Sequence, residues 1–229
     1  MKNKISVILL AGGRGKRFGE KKQFIKINEK PVYQYSIDTV NKIDEIDEII
    51  FVVPEEDRKL LNIKTNKNLK FANSGKERQF SVFNGLDKTT SDIVIIHDTA
   101  RPFATEKMFL DGIKNVLSGY DGSITAIKSR DTIKKVENKK VIKTLNREKL
   151  FTVQTPQTFI YEKLLKAHIY GQKNNIIGTD DSFLMELLGY NITVNEGSYL
   201  NIKLTYKEDI IIANCIANKL TEGNNEKKK

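Results

Sequence analysis

Three short apolar runs, Ile5–Leu10, Glu48–Val53 and Asp92–His97, recur along the first hundred residues with helical patterns between them. Nothing else in the chain constrains its fold so strongly. A continuous apolar run of about 4–8 residues bounded by turn signals reads as a strand buried on both faces. Pro31 opens a helical pattern through Val32, Tyr33, Ile37 and Val40, and proline suits a first helical turn. Gln79–Leu86 and Thr105–Leu117 are further helices, and Lys70–Ala72 and Ser123–Ile127 are further strands. Strands alternating with helices predict an α/β fold: a mostly parallel sheet with helices on both faces.

The pattern changes after Ile127. Thr132–Val136 and Lys140–Thr144 flank Glu137-Asn138-Lys139 and predict a hairpin. So polar an arm buries little surface alone and would gain from pairing with another subunit. Tyr161–Gly171 and Asp181–Leu188 read as helices, and Ile192–Asn195 and Ile202–Leu204 as strands. Thr205-Tyr206-Lys207-Glu208 fits a capping box that starts a last helix, expected to end near Lys219. No linker or repeat divides the 229 residues. The expectation is one domain over about 1–220, with a β-arm at about 131–155 and a disordered basic tail at 221–229.

Composition narrows the function. Hydrophobic residues make up 39% of the chain, enough for a sizeable core. No apolar run approaches the ~18–20 residues of a membrane span, and Ile5–Leu10 is too short for a signal peptide. The expectation is a cytoplasmic protein with no membrane partner. The single cysteine, Cys215, excludes a disulfide framework within the chain and reads as a small buried residue of the last helix. His97 and His168 lack metal-ligand spacing, and His97 reads as a packed residue without a catalytic role. Lys and Arg number 39 against 29 Asp and Glu, a net charge of +10. Such an excess points to an anionic partner. With no Trp and no basic run interleaved with aromatics, a small polyanion is favoured over nucleic acid.

The segment Leu10-Ala11-Gly12-Gly13-Arg14-Gly15-Lys16-Arg17-Phe18-Gly19 directly follows the first strand. Small residues let backbone N–H groups approach phosphate oxygens, and the basic residues add charge. The same composition also describes a flexible turn facing solvent. It matches neither the Walker A loop nor the dinucleotide fingerprint, because Phe18 stands where the latter needs Gly or Ala. The carboxyl end of a first strand is where open α/β sheets bind ligands, which favours the phosphate reading. The run Ile93–Asp98 ends in an acid, followed by Arg101. An acid so placed can meet a hydroxyl or Mg²⁺, and an arginine can fork onto a phosphate. The alternative is an Asp capping the turn with an Arg paired to it.

Leu10–Arg17 as L-A-G-G-x-G-x-R, Lys22-Gln23-Phe24, Gly75–Leu86 as G-x-E-R-x-x-S-V-x-x-G-L and His97–Phe103 as H-D-x-A-R-P-F stand in that order. Arg130–Lys134, Thr155–Phe159, Thr179–Asp181 and Asn201–Thr205 continue the series. Together they resemble the cytidylyltransferases of small sugar-alcohol phosphates over about residues 4–218. The Gly75–Val82 and Arg130–Lys134 segments lean toward the methylerythritol-phosphate branch rather than the ribitol 5-phosphate branch.

The resemblance implies a Rossmann-like nucleotidyltransferase fold, a homodimer built through the β-arm, and transfer of CMP from CTP with release of pyrophosphate. It implies Mg²⁺ as cofactor, mainly on the CTP phosphates, with Asp98 as a further ligand. It implies that Ala11, Gly12, Gly13 and Gly15 wrap the nucleotide and that Gly75 and Ser81 read the cytosine. Arg17, Lys22 and Lys203 correspond to the cations at the reacting phosphates. Asp98, Arg101 and Thr132 correspond to residues around the acceptor phosphate, and Arg147 and Thr155 to two that arrive from a partner subunit. Lys21 stands where the family usually has Pro, Ser74 where a second Gly is common, and Thr99 where Ala is usual. A sugar 1-phosphate nucleotidyltransferase and a non-catalytic nucleotide- or RNA-binding module are the competing readings.

Overall fold

The computed structural model describes residues 2–13, 18, 19 and 21–226, the side chains of Lys22 and of 223–226 excepted. Its elements begin with β1 (Ile5–Leu10), the short pair β2 (Lys26–Ile27) and β3 (Lys30–Pro31), α1 (Val32–Val40), β4 (Glu48–Val52) and β5 (Asn68–Ala72). Then come α2 (Arg78–Leu86), β6 (Ile93–Asp98), α3 (Glu106–Leu117) and β7 (Gly122–Lys128). The hairpin β8 (Lys134–Glu137) and β9 (Lys140–Thr144) precedes β10 (Phe151–Ile160), α4 (Tyr161–Lys173) and α5 (Asp181–Leu187). β11 (Ile192–Glu196) and α6 (Asp209–Glu226) complete the chain.

Seven strands form one sheet in the order β11-β7-β10-β6-β1-β4-β5. β1 pairs in parallel with β4 and β6, and β4 with β5. The three apolar runs take the centre because helices cover both faces. Val7, Leu9, Ile49, Phe51 and Ile95 pack with Tyr33, Ile37, Phe109 and Ile113 of α1 and α3. Ile8, Ile50, Val52, Val94 and Ile96 pack with Val82, Leu86, Leu164 and Leu184 of α2, α4 and α5. This is the mostly parallel α/β sheet that the alternation predicts. A third cluster joins Phe18, Ile27, Phe103 and Leu204 to Ala213 and Ala217 of α6.

Several local expectations are corrected. β10 lies inside the sheet, antiparallel to β6 and β7, although its sequence gave no strand reading. Pro156 at its middle argues against an interior strand. The strand tolerates it because the β7–β10 register shifts between Val153 and Gln157, and β6 pairs only with Gln157–Ile160. The arm is therefore shorter than 131–155: Phe151–Val153 pair with Ala126–Lys128 of the main sheet. β8 and β9 form a separate two-stranded sheet, turning on Asn138 and Lys139 with φ of 48° and 65°. Two left-handed residues match the twist of a two-residue hairpin.

Ile202–Leu204 is not a strand. It is extended chain, anchored by the buried Leu204 side chain and by a Leu204 N–H donated to the Ala100 carbonyl at 2.9 Å. The capping box is replaced as well. The Asp209 carboxylate accepts from the N–H groups of Thr205 and Tyr206, while the Thr205 hydroxyl donates to the Lys203 carbonyl. α6 runs past Lys219 to Glu226, so 221–226 are helical rather than a frayed tail. Cys215 is exposed, because Ala213 and Ala217, four residues apart, take the inward face of α6.

At the other end of the sheet Glu48 is buried among hydroxyls. Its Oε1 accepts from Ser6 Oγ at 2.7 Å and Thr89 Oγ1 at 2.6 Å, and Lys70 Nζ lies 2.8 Å from Oε2. Burial alone would raise its pKa, but Lys70 and the hydroxyls outweigh burial and hold it at about 2, against an ordinary 4.5. The folded carboxyl binds its proton less readily than the unfolded one. The stability it supplies is present above about pH 4.5 and is lost as pH falls toward 2. Because Lys4 and Lys70 are partly exposed, we expect about 2 kcal/mol from it at neutral pH. Urea unfolding should show Glu48→Gln less stable by that amount at pH 7, with the gap closing as the pH is lowered. An unchanged gap at pH 3 would remove Glu48 as the origin.

Candidate active site

The carboxyl ends of β1 and β6 lie side by side, Leu10 opposite Asp98. The strand order reverses here, with β4 and β5 on one side of β1 and β6 on the other. Open α/β sheets leave a crevice at such a point. On the β1 side Ala11 N–H donates to the Val52 carbonyl at 2.8 Å. A Cβ on Gly12 would stand 2.3 Å from Ser74 Cβ, so glycine is what allows the loop to touch the segment after β5. Gly13 is exposed and its Cβ position is open. Gly15 and Arg17 lie outside the described residues, as does the Lys22 side chain. Lys21 Nζ is held 2.5 Å from the buried Asp57 Oδ1. Gly75 N–H donates to Ser81 Oγ at 2.9 Å, which brings together the pair expected to read the base. Ser74, at the glycine-preferring position, supplies the surface that Gly12 meets.

On the β6 side Asp98 is the hub. Arg78 Nε donates to its Oδ1 at 3.0 Å, and Lys203 Nζ donates to Oδ2 at 2.5 Å. Burial opposes the charge on Asp98, yet Arg78 and Lys203 overcome it and hold the carboxyl well below its ordinary range. Arg78 Nη1 reaches on to Asp181 Oδ2 at 2.6 Å, and Asp181 Oδ1 lies 3.2 Å from Nε2 of the buried His168. Asp181 is likewise held ionised against burial, first by Arg78 and then by His168. Arg101 donates to the carbonyls of Asn201 at 2.8 Å and Val153 at 3.4 Å. Carbonyls do not cancel its charge, which the nearby Asp98 carboxylate partly offsets. Thr99 donates its hydroxyl to the Leu10 carbonyl at 2.9 Å, and so ties β6 to β1.

Arg78, Asp98, Arg101 and Lys203 form one wall of an open pocket of about 390 Å³, which Gln157 and Asp180 face from other segments. Two placements depart from expectation. Thr155 lines this same pocket, buried in its own chain, where its Oγ1 accepts from Asp98 N–H at 3.1 Å and lies 3.1 Å from Nδ1 of His97. It sits on β10 in the main sheet, against Asp98 of its own chain. Thr132 is exposed beside β8 and does not line the pocket, because its segment belongs to the arm. Arg147 is also exposed near the arm, with Nη1 donating to the Arg130 carbonyl at 3.0 Å. His97 is packed as read, between Thr155 and Ser36, and burial pushes its pKa down to about 4.

Sequence reading missed Arg78 and Asp181 as site residues. Both stand inside quoted motifs, Arg78 three residues after Gly75 and Asp181 in the Thr179-Asp180-Asp181 run. The signal was present, but only the fold shows that they meet. Asp98 is also a weaker metal candidate than the sequence suggests, since both oxygens already accept from cations. Among the described residues no three His, Cys, Asp or Glu gather to hold a metal ion.

A glycine loop after β1, the Gly75 turn before α2 and a pocket after β6 that sets Arg78, Arg101 and Lys203 among the carboxylates of Asp98, Asp180 and Glu186 define an α/β protein of the nucleotidyltransferase type. Residues 5–219 match the family described as 2-C-methyl-D-erythritol 4-phosphate cytidylyltransferase. The protein of that name from Aquifex aeolicus is 45% identical over 205 residues, 90% of this chain and 93% of its own. Its namesake from Clostridium acetobutylicum is 41% identical over 222 residues, 93% of this chain and 96% of its own. The crystal structure of 4-diphosphocytidyl-2C-methyl-D-erythritol synthase from Anaerococcus prevotii is similar with a TM-score of 0.84. It is 33% identical and covers 95% of this chain and 97% of its own. The chain belongs to the 2-C-methyl-D-erythritol 4-phosphate cytidylyltransferase family, which makes it a transferase and bears out the resemblance read from its motifs.

Proposed function

We propose that the chain transfers CMP from CTP to 2-C-methyl-D-erythritol 4-phosphate, giving 4-diphosphocytidyl-2-C-methyl-D-erythritol and pyrophosphate. The observation that carries this reading is the convergence of Arg78, Lys203 and the nearby Arg101 around Asp98, beside a nucleotide-type loop. An acceptor phosphate is ionised at neutral pH, so it attacks the α-phosphorus without a general base. The new oxygen–phosphorus bond forms as the α–β phosphoanhydride bond breaks, and the electron pair leaves on pyrophosphate. Repulsion between two anions is the obstacle. Fixed cations that face the developing charge lower it, so catalysis is positioning plus electrostatics.

In this reading Gly12, Gly13, Gly75 and Ser81 hold the nucleotide, with Ala11 and Gly15 in the same loop. Lys203 acts with Arg17 and Lys22 at the reacting phosphates. Arg101 draws in the acceptor phosphate, and Asp98 fixes Lys203. Mg²⁺ would ride on the triphosphate through phosphate and water ligands rather than on Asp98, both of whose oxygens already accept from Arg78 and Lys203. Bound there, it would neutralise triphosphate charge.

The arm carries Val136, Val141 and Ile142 exposed. An apolar strip on an isolated hairpin supports a homodimer in which Arg147 and Thr132 reach a partner's pocket. Among the described residues no helix is long and apolar enough to cross a membrane. The small anionic substrates favour a cytoplasmic enzyme with no nucleic-acid partner.

Pyrophosphate release from CTP and Mg²⁺ tests the reading, with methylerythritol 4-phosphate and ribitol 5-phosphate as parallel acceptors. Release with the first alone is expected. Release with the second alone would move the chain to another branch, and silence with both would sink the transfer reading.

A further inference from the structure

We propose that Arg78 is a positioning residue of the transfer site, acting through Asp98 on Lys203; the proposal rests on the cytidylyl-transfer reading above. Arg78 is the first residue of α2, and its guanidinium spans two carboxylates from two other elements. Nε holds Asp98 Oδ1 at the end of β6, and Nη1 holds Asp181 Oδ2 at the start of α5. Asp181 is 1% exposed, and His168 fixes its second oxygen from α4. The guanidinium plane is therefore set by a buried anchor on one side and presents a fixed edge to the pocket on the other. Only arginine has the rigid fork that meets two carboxylates at once; lysine offers a single point charge.

The consequence falls on Lys203. Its side chain is 40% exposed on a four-carbon stem, and no helix or strand holds its backbone. What keeps the ammonium in the pocket is Asp98 Oδ2 at 2.5 Å. That oxygen faces Lys203 because Arg78 occupies Oδ1. If Arg78 lets go, Asp98 turns, and Lys203 exchanges a fixed place for solvent. A cation that must be located again in each turnover stabilises the transition state less. Arg78 also starts the helix that packs beneath Gly75, whose Cβ position lies 2.4 Å from Phe80 Cβ. One helical turn thus registers the base loop against the acceptor cations.

The experiment is a double-variant cycle on the full chain with CTP and methylerythritol 4-phosphate, with thermal unfolding measured in parallel. Arg78→Lys should lower kcat about 10–100-fold while the KM for CTP moves less than about threefold. Lys203→Met should lower kcat at least as far. If Arg78 acts through Lys203, the double variant turns over no more slowly than Lys203→Met alone. Asp181→Asn removes the remote anchor with little change in shape. It should reproduce the kcat loss more weakly, again without further effect in a Lys203→Met background. That arm stands in if Arg78→Lys fails to fold.

Losses that multiply in the double variants would overturn the proposal and leave the transfer reading intact, as would native kcat in Arg78→Lys. No pyrophosphate release by the native chain would overturn both.

Discussion

Asp98→Asn is expected to lower kcat/KM by about 10²–10³-fold, with the loss mostly in kcat. The substitution keeps the shape and removes one charge from the middle of a cationic cluster. Arg78, Arg101 and Lys203 then face one another with no anion between them, and Lys203 loses the oxygen that holds it at 2.5 Å. Removing one member of a buried ion pair typically costs about 3–5 kcal/mol. Lys203 is 40% exposed and returns to water, so about 2–3 kcal/mol is expected here. The acid dependence has a definite sign. Folding holds the Asp98 pKa below its ordinary 3.8, so its contribution is present above about that pH and disappears as the solution is acidified. The Asn variant should therefore approach the native chain in stability at low pH. Steady-state pyrophosphate release and urea unfolding at pH 7 and pH 3 measure both effects. Native turnover in the variant would remove Asp98 from the site.

Gly75→Ala is expected to raise the KM for CTP at least ~10-fold and to destabilise the fold by about 1–3 kcal/mol. The added Cβ would stand 2.4 Å from Phe80 Cβ and 2.9 Å from the Phe80 carbonyl carbon. Neither is the end of a flexible side chain, so either α2 or the loop must move. Moving the loop breaks the Gly75 N–H to Ser81 hydrogen bond; moving α2 displaces Arg78 from Asp98. Gly13→Ala is the control for stability, because a Cβ there meets nothing within 4 Å. Calorimetry should show a lowered Tm for Gly75→Ala and a native one for Gly13→Ala. Equal melting temperatures in the two variants would contradict the close approach.

Much of the body was legible because its signals are local. β1, β4 and β6 are short apolar runs with turn residues at their ends, and burial on both faces asks for nothing more. β10 was not legible. Its Pro156 disqualifies it locally, and the register shift that accommodates proline exists only once β7 and β6 flank it. The same absence moved Thr155. The resemblance assigned it to a partner subunit; on an interior strand, its hydroxyl accepts from Asp98 N–H of its own chain. Ile202–Leu204 misled in the opposite direction, since its apolar content reflects one buried anchor, Leu204, rather than a ladder.

By itself the sequence determined the α/β alternation, the glycine loop after β1, the acid ending β6 and the motif order that marks the family. Each depends on neighbours along the chain, through periodicity, turn chemistry or spacing. Tertiary structure alone decided that Arg78, His168 and Asp181, the first and last 103 residues apart, join Asp98 and Lys203 in one charge chain. It also decided that Lys21 is spent on Asp57 and that Thr99 ties β6 to β1. Ion pairs between distant residues leave no periodic trace, because a charge is read by what faces it, and what faces it is set by how the sheet and helices pack.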